Sequence, residues 1–305
     1  MAKVKIQQIP YGGWENCVQI KNKSVDLIIT VDVGPRIIRY GFSGSENELC
    51  EVKSTRGVTG GEKWRIYGGH RLWHSPEDEK RTYAPDNEPV TWEEIANGII
   101  TNQNIEPLTG IQKEMEISLN PDDTSVTILH RLTNKGPGPV ELSVWSISAM
   151  ATGGKEIIPL TQRDTGLLPN RLMALWPYTT LNDQRISFGK RYIILQQNPG
   201  IKQPVKIGIS NENGWAVYFN HNHLFVKYYT HHMKARYPDF GVSYETYAND
   251  FMLEMETLSP LEMLKPNAHV THAEGWELFN NVTMPSNNET EIENILTGKV
   301  CINPM

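Results

Sequence analysis

The sequence predicts an all-β protein built from two large, mostly antiparallel sheets packed face to face. Three observations carry that expectation. Short apolar runs of strand length recur between Val25 and Phe279, turn residues (Asn, Asp, Gly, Pro) separate them, and helical periodicity is scarce. So many strands need two packed layers rather than one open sheet.

The first run, Val25 to Val33, stops at Gly34-Pro35, and Arg36 to Phe42 follows it as far as the turn Ser43-Gly44-Ser45. Next come Met115 to Leu119, whose residues alternate as a strand does, Val126 to Leu132 and Val140 to Ile147. Tyr192 to Gln196, Trp215 to Phe219 and Leu224 to Tyr229 continue the series. Val242 to Ala248, Phe251 to Leu258 and His269 to Phe279 complete it. The best helix candidate is the short stretch Val90 to Asn97, just before Gly98. No internal repeat or low-complexity linker interrupts the chain, so residues 1–305 are expected to form one domain.

Composition narrows the function classes. Hydrophobic residues make up 39% of the 305 and charged residues 21%, enough to build a core. The formal net charge of -6 argues against a nucleic-acid partner, which would call for a basic stripe. Cys17, Cys50 and Cys301 are widely spaced with no CxxC pair, which points to reduced thiols rather than a disulfide framework or thiolate zinc site. The N-terminal residues lack the apolar stretch of a signal peptide, and no run reaches the length of a membrane helix. A cytoplasmic protein with no membrane association is expected; the sequence does not give its oligomeric state.

Three segments in order, Gly34 to Phe42 (GPRIIRYGF), Gly68 to Glu77 (GGHRLWHSPE) and Phe251 to Leu278, resemble the galactose mutarotase-like superfamily, and specifically its DUF4380 branch. In the third, the turn Leu264-Lys265-Pro266-Asn267 ends in an Asn able to adopt the left-handed conformation of the glycine that family uses. The resemblance spans about residues 25 to 280. It implies a β-supersandwich with a sugar cleft on a concave sheet face, a carbohydrate partner, no cofactor, and Glu256 in the place of the general base.

The residues themselves bear on that chemistry. Strand alternation puts Met252, Glu254, Glu256 and Leu258 on one face, the two carboxylates about 6.5–7 Å apart at their roots. A neighbouring negative charge raises a carboxyl pKa, which suits acid-base work near neutrality. Glu254 is expected to orient the ligand or serve as the alternative base. In the Gly68 to Glu77 loop, paired glycines allow close backbone approach, Arg71 offers a forked donor, Trp73 a stacking face, and Glu77 a further carboxylate. His70 and His74 are the candidate acids. Their spacing would suit a metal on a helix, but Pro76 and the glycines oppose a helix there, so no metal is expected.

Glu245 and Tyr247 share a face of their strand, and Glu245 is a candidate substrate contact. His221, His223, His231 and His232 fit a polar strand end and turn better than a metal site, and His272, Glu274 and Trp276 share one face of the last strand. The sequence departs from characterised hexose mutarotases in having no histidine in Ile99 to Gly110 or in Glu141 to Ala149. An aldose 1-epimerase is therefore expected to draw its acid from the paired-glycine loop. The alternatives are a non-catalytic carbohydrate-binding protein and a glycoside hydrolase or lyase, which would need a second carboxylate across the scissile bond.

Overall fold

Ile111–Leu119 and Val126–Asn134 alternate buried with more exposed side chains, so one face packs inward and the other meets solvent. Leu253–Leu258 and Val205–Ile209 are buried at every position, as expected of strands covered on both faces. The computed structural model describes residues 3–300, and in it these segments assemble into two antiparallel sheets of eleven and ten strands.

The larger sheet runs Lys5–Tyr11, Trp14–Lys21, Val25–Thr30, Arg36–Phe42, His70–Ser75, Val140–Met150, Leu253–Leu258, Tyr244–Ala248, Val205–Ile209 and Met173–Leu175, with Glu262–Leu264 also pairing to Val140–Met150. The smaller runs Ile186–Phe188, Tyr192–Gln196, Lys155–Pro159, Trp215–Asn220, His223–Tyr229, His269–Asn280, Val126–Asn134, Ile111–Leu119, Gly98–Asn102 and Thr91–Ile95. Their facing sides form one buried cluster. Val18, Ile29, Leu72, Val144 and Met255 of the larger sheet join Met115, Ile128, Leu132, Phe225 and Trp276 of the smaller. Each such aliphatic side chain contributes about 1.5–3 kcal/mol by leaving water.

Part of the other face of the smaller sheet is covered by the helix Glu289–Leu296, whose Ile292 and Leu296 pack with Ile157, Val217 and Leu224. Asn288 caps it, its side chain accepting from the backbone N–H groups of Thr290 and Glu291. No helix among the described residues is long and apolar enough to cross a membrane. Cys17 and Cys50 are buried free thiols, and Cys301 lies outside the described residues.

Two sequence expectations are corrected. Val90 to Asn97 is not helical: Thr91–Ile95 and Gly98–Asn102 form a hairpin, with Asn97 at a φ of 60° in its two-residue turn. Asn97 tolerates the left-handed conformation that closes this turn, and the helical pattern is too short to outweigh it. The paired-glycine segment is also no loop, since His70–Ser75 is a central strand of the larger sheet between Arg36–Phe42 and Val140–Met150. Gly68 and Gly69 serve backbone packing: a Cβ on them would lie 2.1 Å from the Cys50 carbonyl oxygen and 2.3 Å from that of Ile37.

Candidate functional site

The register of the larger sheet decides which side chains leave its outer face. Trp73 is paired with Trp145 and Arg71 with Ile147 across one ladder, and Ile147 with Glu256 and Ala149 with Glu254 across the next. Glu245 and Tyr247 stand opposite Glu256 and Glu254, and Lys206 stands opposite Tyr247. Directly opposed residues share a face. Arg71, Trp73, Trp145, Glu254, Glu256, Glu245, Tyr247 and Lys206 therefore all point away from the core, as the alternation of Glu254 with Glu256 led us to expect.

Over this floor lies a cleft of about 390 Å³. Eight aromatic residues line it: Trp64, Trp73, Tyr83, Trp145, Trp176, Tyr178, Tyr247 and Phe251. The polar lining comes from Arg71, Glu77, Lys206, Asn249 and Glu254. Trp64, Trp73 and Tyr83 form a mutual edge-to-face trio with centroids 5.0–5.4 Å apart, and Trp73 continues to Trp145 at 5.4 Å. Such geometry stabilises ring pairs beyond their buried area.

Both cations of the cleft are already engaged. Arg71 Nη1 donates to Glu254 Oε1 at 2.6 Å, and its guanidinium carbon sits 4.3 Å from the Trp73 ring centroid. Lys206 Nζ lies 2.8 Å from Glu245 Oε2 and 2.9 Å from Glu256 Oε2, and 4.4 Å from the Trp145 ring centroid. Trp145 Nε1 also donates to Glu256 Oε2 at 2.8 Å. Burial raises the carboxyls of Glu245 and Glu256 above their ordinary value, against the pull of Lys206. For Lys206, burial alone favours the neutral amine, but the two carboxylates outweigh it and hold the ammonium well above its usual range.

The two strand glutamates thus differ. Glu254 lines the cleft and is 6% exposed, whereas Glu256 is 0% exposed beneath Trp145 and Lys206 and does not line it. Glu245 is sealed in the same way. Glu77 lies at the rim, where it accepts from the Tyr83 hydroxyl at 2.6 Å.

His70 and His74, expected as candidate acids, are not brought to the cleft. They alternate with Arg71 and Trp73 and so point into the space between the sheets. His70 Nε2 lies 2.7 Å from His130 Nε2, and its Nδ1 lies 2.8 Å from Ser148 Oγ. His74 faces Glu106 at 3.8 Å. Burial holds both imidazoles below their ordinary pKa, His70 well below. Among the described residues no histidine lines the cleft.

The inner face instead carries a polar seam. His130 Nδ1 donates to the His272 carbonyl, which leaves its neutral Nε2 to accept from His70, and Ser148 donates to the remaining ring nitrogen of His70. Glu274 takes Lys227 Nζ at 3.0 Å, Trp276 Nε1 at 2.9 Å and the hydroxyls of Ser146 and Thr257. His272 Nε2 lies 2.8 Å from Thr257 Oγ1. His272, Glu274 and Trp276 therefore face the core, behind the glutamate strand. Among the described residues, one set of ligand atoms, from His70, His130 and Glu274, lies close enough together to hold a metal ion. The hydrogen-bond chain satisfies the two imidazoles without one. Of the other histidines, His223 Nδ1 pairs with Glu48 Oε1 at 2.6 Å, and His231 with Ser243 Oγ at 2.9 Å; His221 sits in a turn at a φ of 51°.

Sequence reasoning missed Lys206, Trp64, Tyr83, Trp176 and Tyr178. Lys206 had a signal: it is a single cation inside the otherwise apolar strand Val205–Ile209. The aromatic residues come from connecting segments that nothing local ties to the floor.

No known family profile and no curated protein matches the chain. Solved structures do resemble it. A galactose mutarotase-like protein from Lactobacillus casei is 11% identical with a TM-score of 0.55, covering 87% of this chain and 100% of its own. A galactose mutarotase-like protein from Clostridium acetobutylicum is also 11% identical, with a TM-score of 0.55 and coverage of 91% and 99%. A TPR-domain containing protein from Parabacteroides distasonis is 14% identical with a TM-score of 0.59, covering 88% of this chain but 48% of its own, so the chain spans about half of that protein. At such identities the likeness shows the fold alone: an all-β, galactose mutarotase-like pair of sheets.

Proposed function

We propose that the protein is a carbohydrate-binding domain that holds its ligand in the aromatic cleft of the larger sheet. The observation that carries this is the lining: eight aromatic side chains around a few polar groups able to meet hydroxyls. Aromatic faces stack on the apolar faces of sugar rings, while Arg71, Asn249, Glu77 and Glu254 supply directed hydrogen bonds. In this reading Arg71, Glu77 and Glu254 contact the ligand, Trp73 backs the Arg71 guanidinium, and Glu245 acts from beneath by fixing Lys206. The buried free thiols support a reducing compartment such as the cytoplasm.

A second reading, aldose 1-epimerase, is favoured by the Glu254 carboxylate at the cleft surface. In it Glu254 rather than the sealed Glu256 takes the anomeric hydroxyl proton, an acid protonates the ring oxygen, and the ring opens and recloses on either face. It ranks second because no imidazole reaches the cleft, and Lys206 is held protonated by two carboxylates.

Anomer-exchange NMR on free and phosphorylated hexoses, with wild type and Glu254→Gln side by side, separates the readings. Ligand line broadening without faster exchange is the expected result. Acceleration that disappears in Glu254→Gln would establish the epimerase. Absence of binding by any sugar, including oligosaccharides, would overturn the carbohydrate reading.

A further inference from the structure

The cleft runs across strands rather than along one. From the Arg71 strand to the Lys206 strand there are four inter-strand steps, which put about 19 Å between the backbone roots of these residues. Its aromatic residues fall into two groups. At one end Trp64, Trp73 and Tyr83 enclose Arg71, whose guanidinium carbon is 4.3 and 5.7 Å from the Trp73 and Trp64 centroids. At the other end Tyr178 and Tyr247 contact each other at 6.5 Å, with Trp176 beside Lys206 at 4.7 Å. Among the described residues, ring and cation–ring contacts join the two groups only through Trp145, between Trp73 and Lys206.

Each end therefore has its own aromatic side chains, while the two cations reach inward from those ends to the middle strand, Arg71 to Glu254 and Lys206 to Glu256. A volume of about 390 Å³ falls in the range of about 300–1,000 Å³ that encloses drug-sized molecules, which are larger than a free hexose. We infer that the cleft contains two sugar subsites and that its ligand is an oligosaccharide, one ring stacked at the Trp64 end and another at the Tyr178 end. The inference rests on the carbohydrate reading and narrows it from sugars in general to glycosidically linked ones.

The test is a titration by ligand-observed NMR and calorimetry with matched series: glucose, maltose, cellobiose and their tetrasaccharides; galactose and galactobiose; mannose and mannobiose. In at least one series the disaccharide should bind about tenfold or more tighter than its monosaccharide, the gain from one added stacking contact. Trp64→Ala and Tyr178→Ala should each reduce that disaccharide to monosaccharide-like affinity, while monosaccharide binding responds to one of the two changes only. Trp64→Leu and Tyr178→Leu repeat the comparison with less loss of packing, and near-ultraviolet circular dichroism confirms that each variant folds. A monosaccharide binding as tightly as its oligomers in every responding series would overturn the two-subsite inference and leave the carbohydrate reading standing. So would a disaccharide that is insensitive to one of the two ends. No binding by any member of any series would overturn both.

Discussion

Lys206 stands between two fully buried carboxylates that face each other across paired strands, and replacing it by methionine isolates what its charge does. Methionine keeps the length of the stem and removes the ammonium, leaving Glu245 and Glu256 together without it. Removing one partner of a buried ion pair costs about 3–5 kcal/mol, because the orphaned charge stays out of water. For a chain of 305 residues the unfolding entropy converts this to a fall of about 5–8 °C in Tm near pH 8.

The pH dependence has a definite sign. Burial already raises both carboxyls, and loss of the ammonium raises them further. A carboxyl whose folded pKa exceeds its unfolded value of about 4.3 binds protons preferentially in the folded state, so its contribution to stability is lost as pH rises through that window. The deficit of Lys206→Met against wild type should therefore shrink between about pH 8 and about pH 5. Adding Glu245→Gln and Glu256→Gln should recover most of the lost Tm, because no buried charge is then left unpaired. Differential scanning calorimetry on the three proteins at both pH values reads this out. An equal Tm loss at both pH values, or a loss below about 2 °C near pH 8, would show that Lys206 does not neutralise the pair.

Gly69→Ala should lower Tm by at least about 2 °C, since left-handed strain costs about 1–2 kcal/mol and its Cβ would also meet the Ile37 carbonyl oxygen at 2.3 Å. Gly153→Ala, at a φ of 88° but with open space around it, should carry the strain alone, and thermal melts giving both variants the same Tm would refute the packing argument. The buried His272 imidazole is pushed down to about 3, first by burial. Its contribution is fully present above the unfolded value of about 6.5 and is lost as pH falls below it. His272→Gln should therefore show a shallower fall of Tm with acidification than wild type, and parallel Tm profiles would contradict the assignment.

The fold was legible because the strands announce themselves twice, by composition and by the turn residues between them. Glu254 and Glu256 were placed on one face correctly, since alternation along Phe251 to Leu258 needs no partner to be read. Their different access to the cleft depends on Trp145 and Lys206, from other parts of the chain, and no local pattern reports it. The histidines failed for a different reason. His70–Ser75 is buried on both faces, so polar and apolar residues do not alternate and flanking Gly and Pro suggest a loop. Once the segment is a strand, Arg71 and Trp73 go to the cleft and His70 and His74 cannot follow. The helix Glu289–Leu296 did carry a signal, Asn288 with Glu291 three residues on, the pattern of a capped helix start.

The strand Leu253–Leu258 has two faces that are not interchangeable: Leu253 and Met255 join the apolar core on one, and Glu254 and Glu256 leave from the other. Glu254 and Glu256 meet Arg71, Trp145 and Lys206 on one side, while Thr257 and the Met255 carbonyl meet His272, Glu274 and Lys227 on the other. A slip of one residue would turn every side chain over, carrying two carboxylates into the dry interior and leaving Lys227 and Glu274 opposite the wrong partners. An ordinary apolar strand slides into misregister at little cost when its two faces look alike; here the alternatives are separated by several unpaired charges. The central strand thereby proofreads its own alignment, and the floor of the cleft inherits that accuracy.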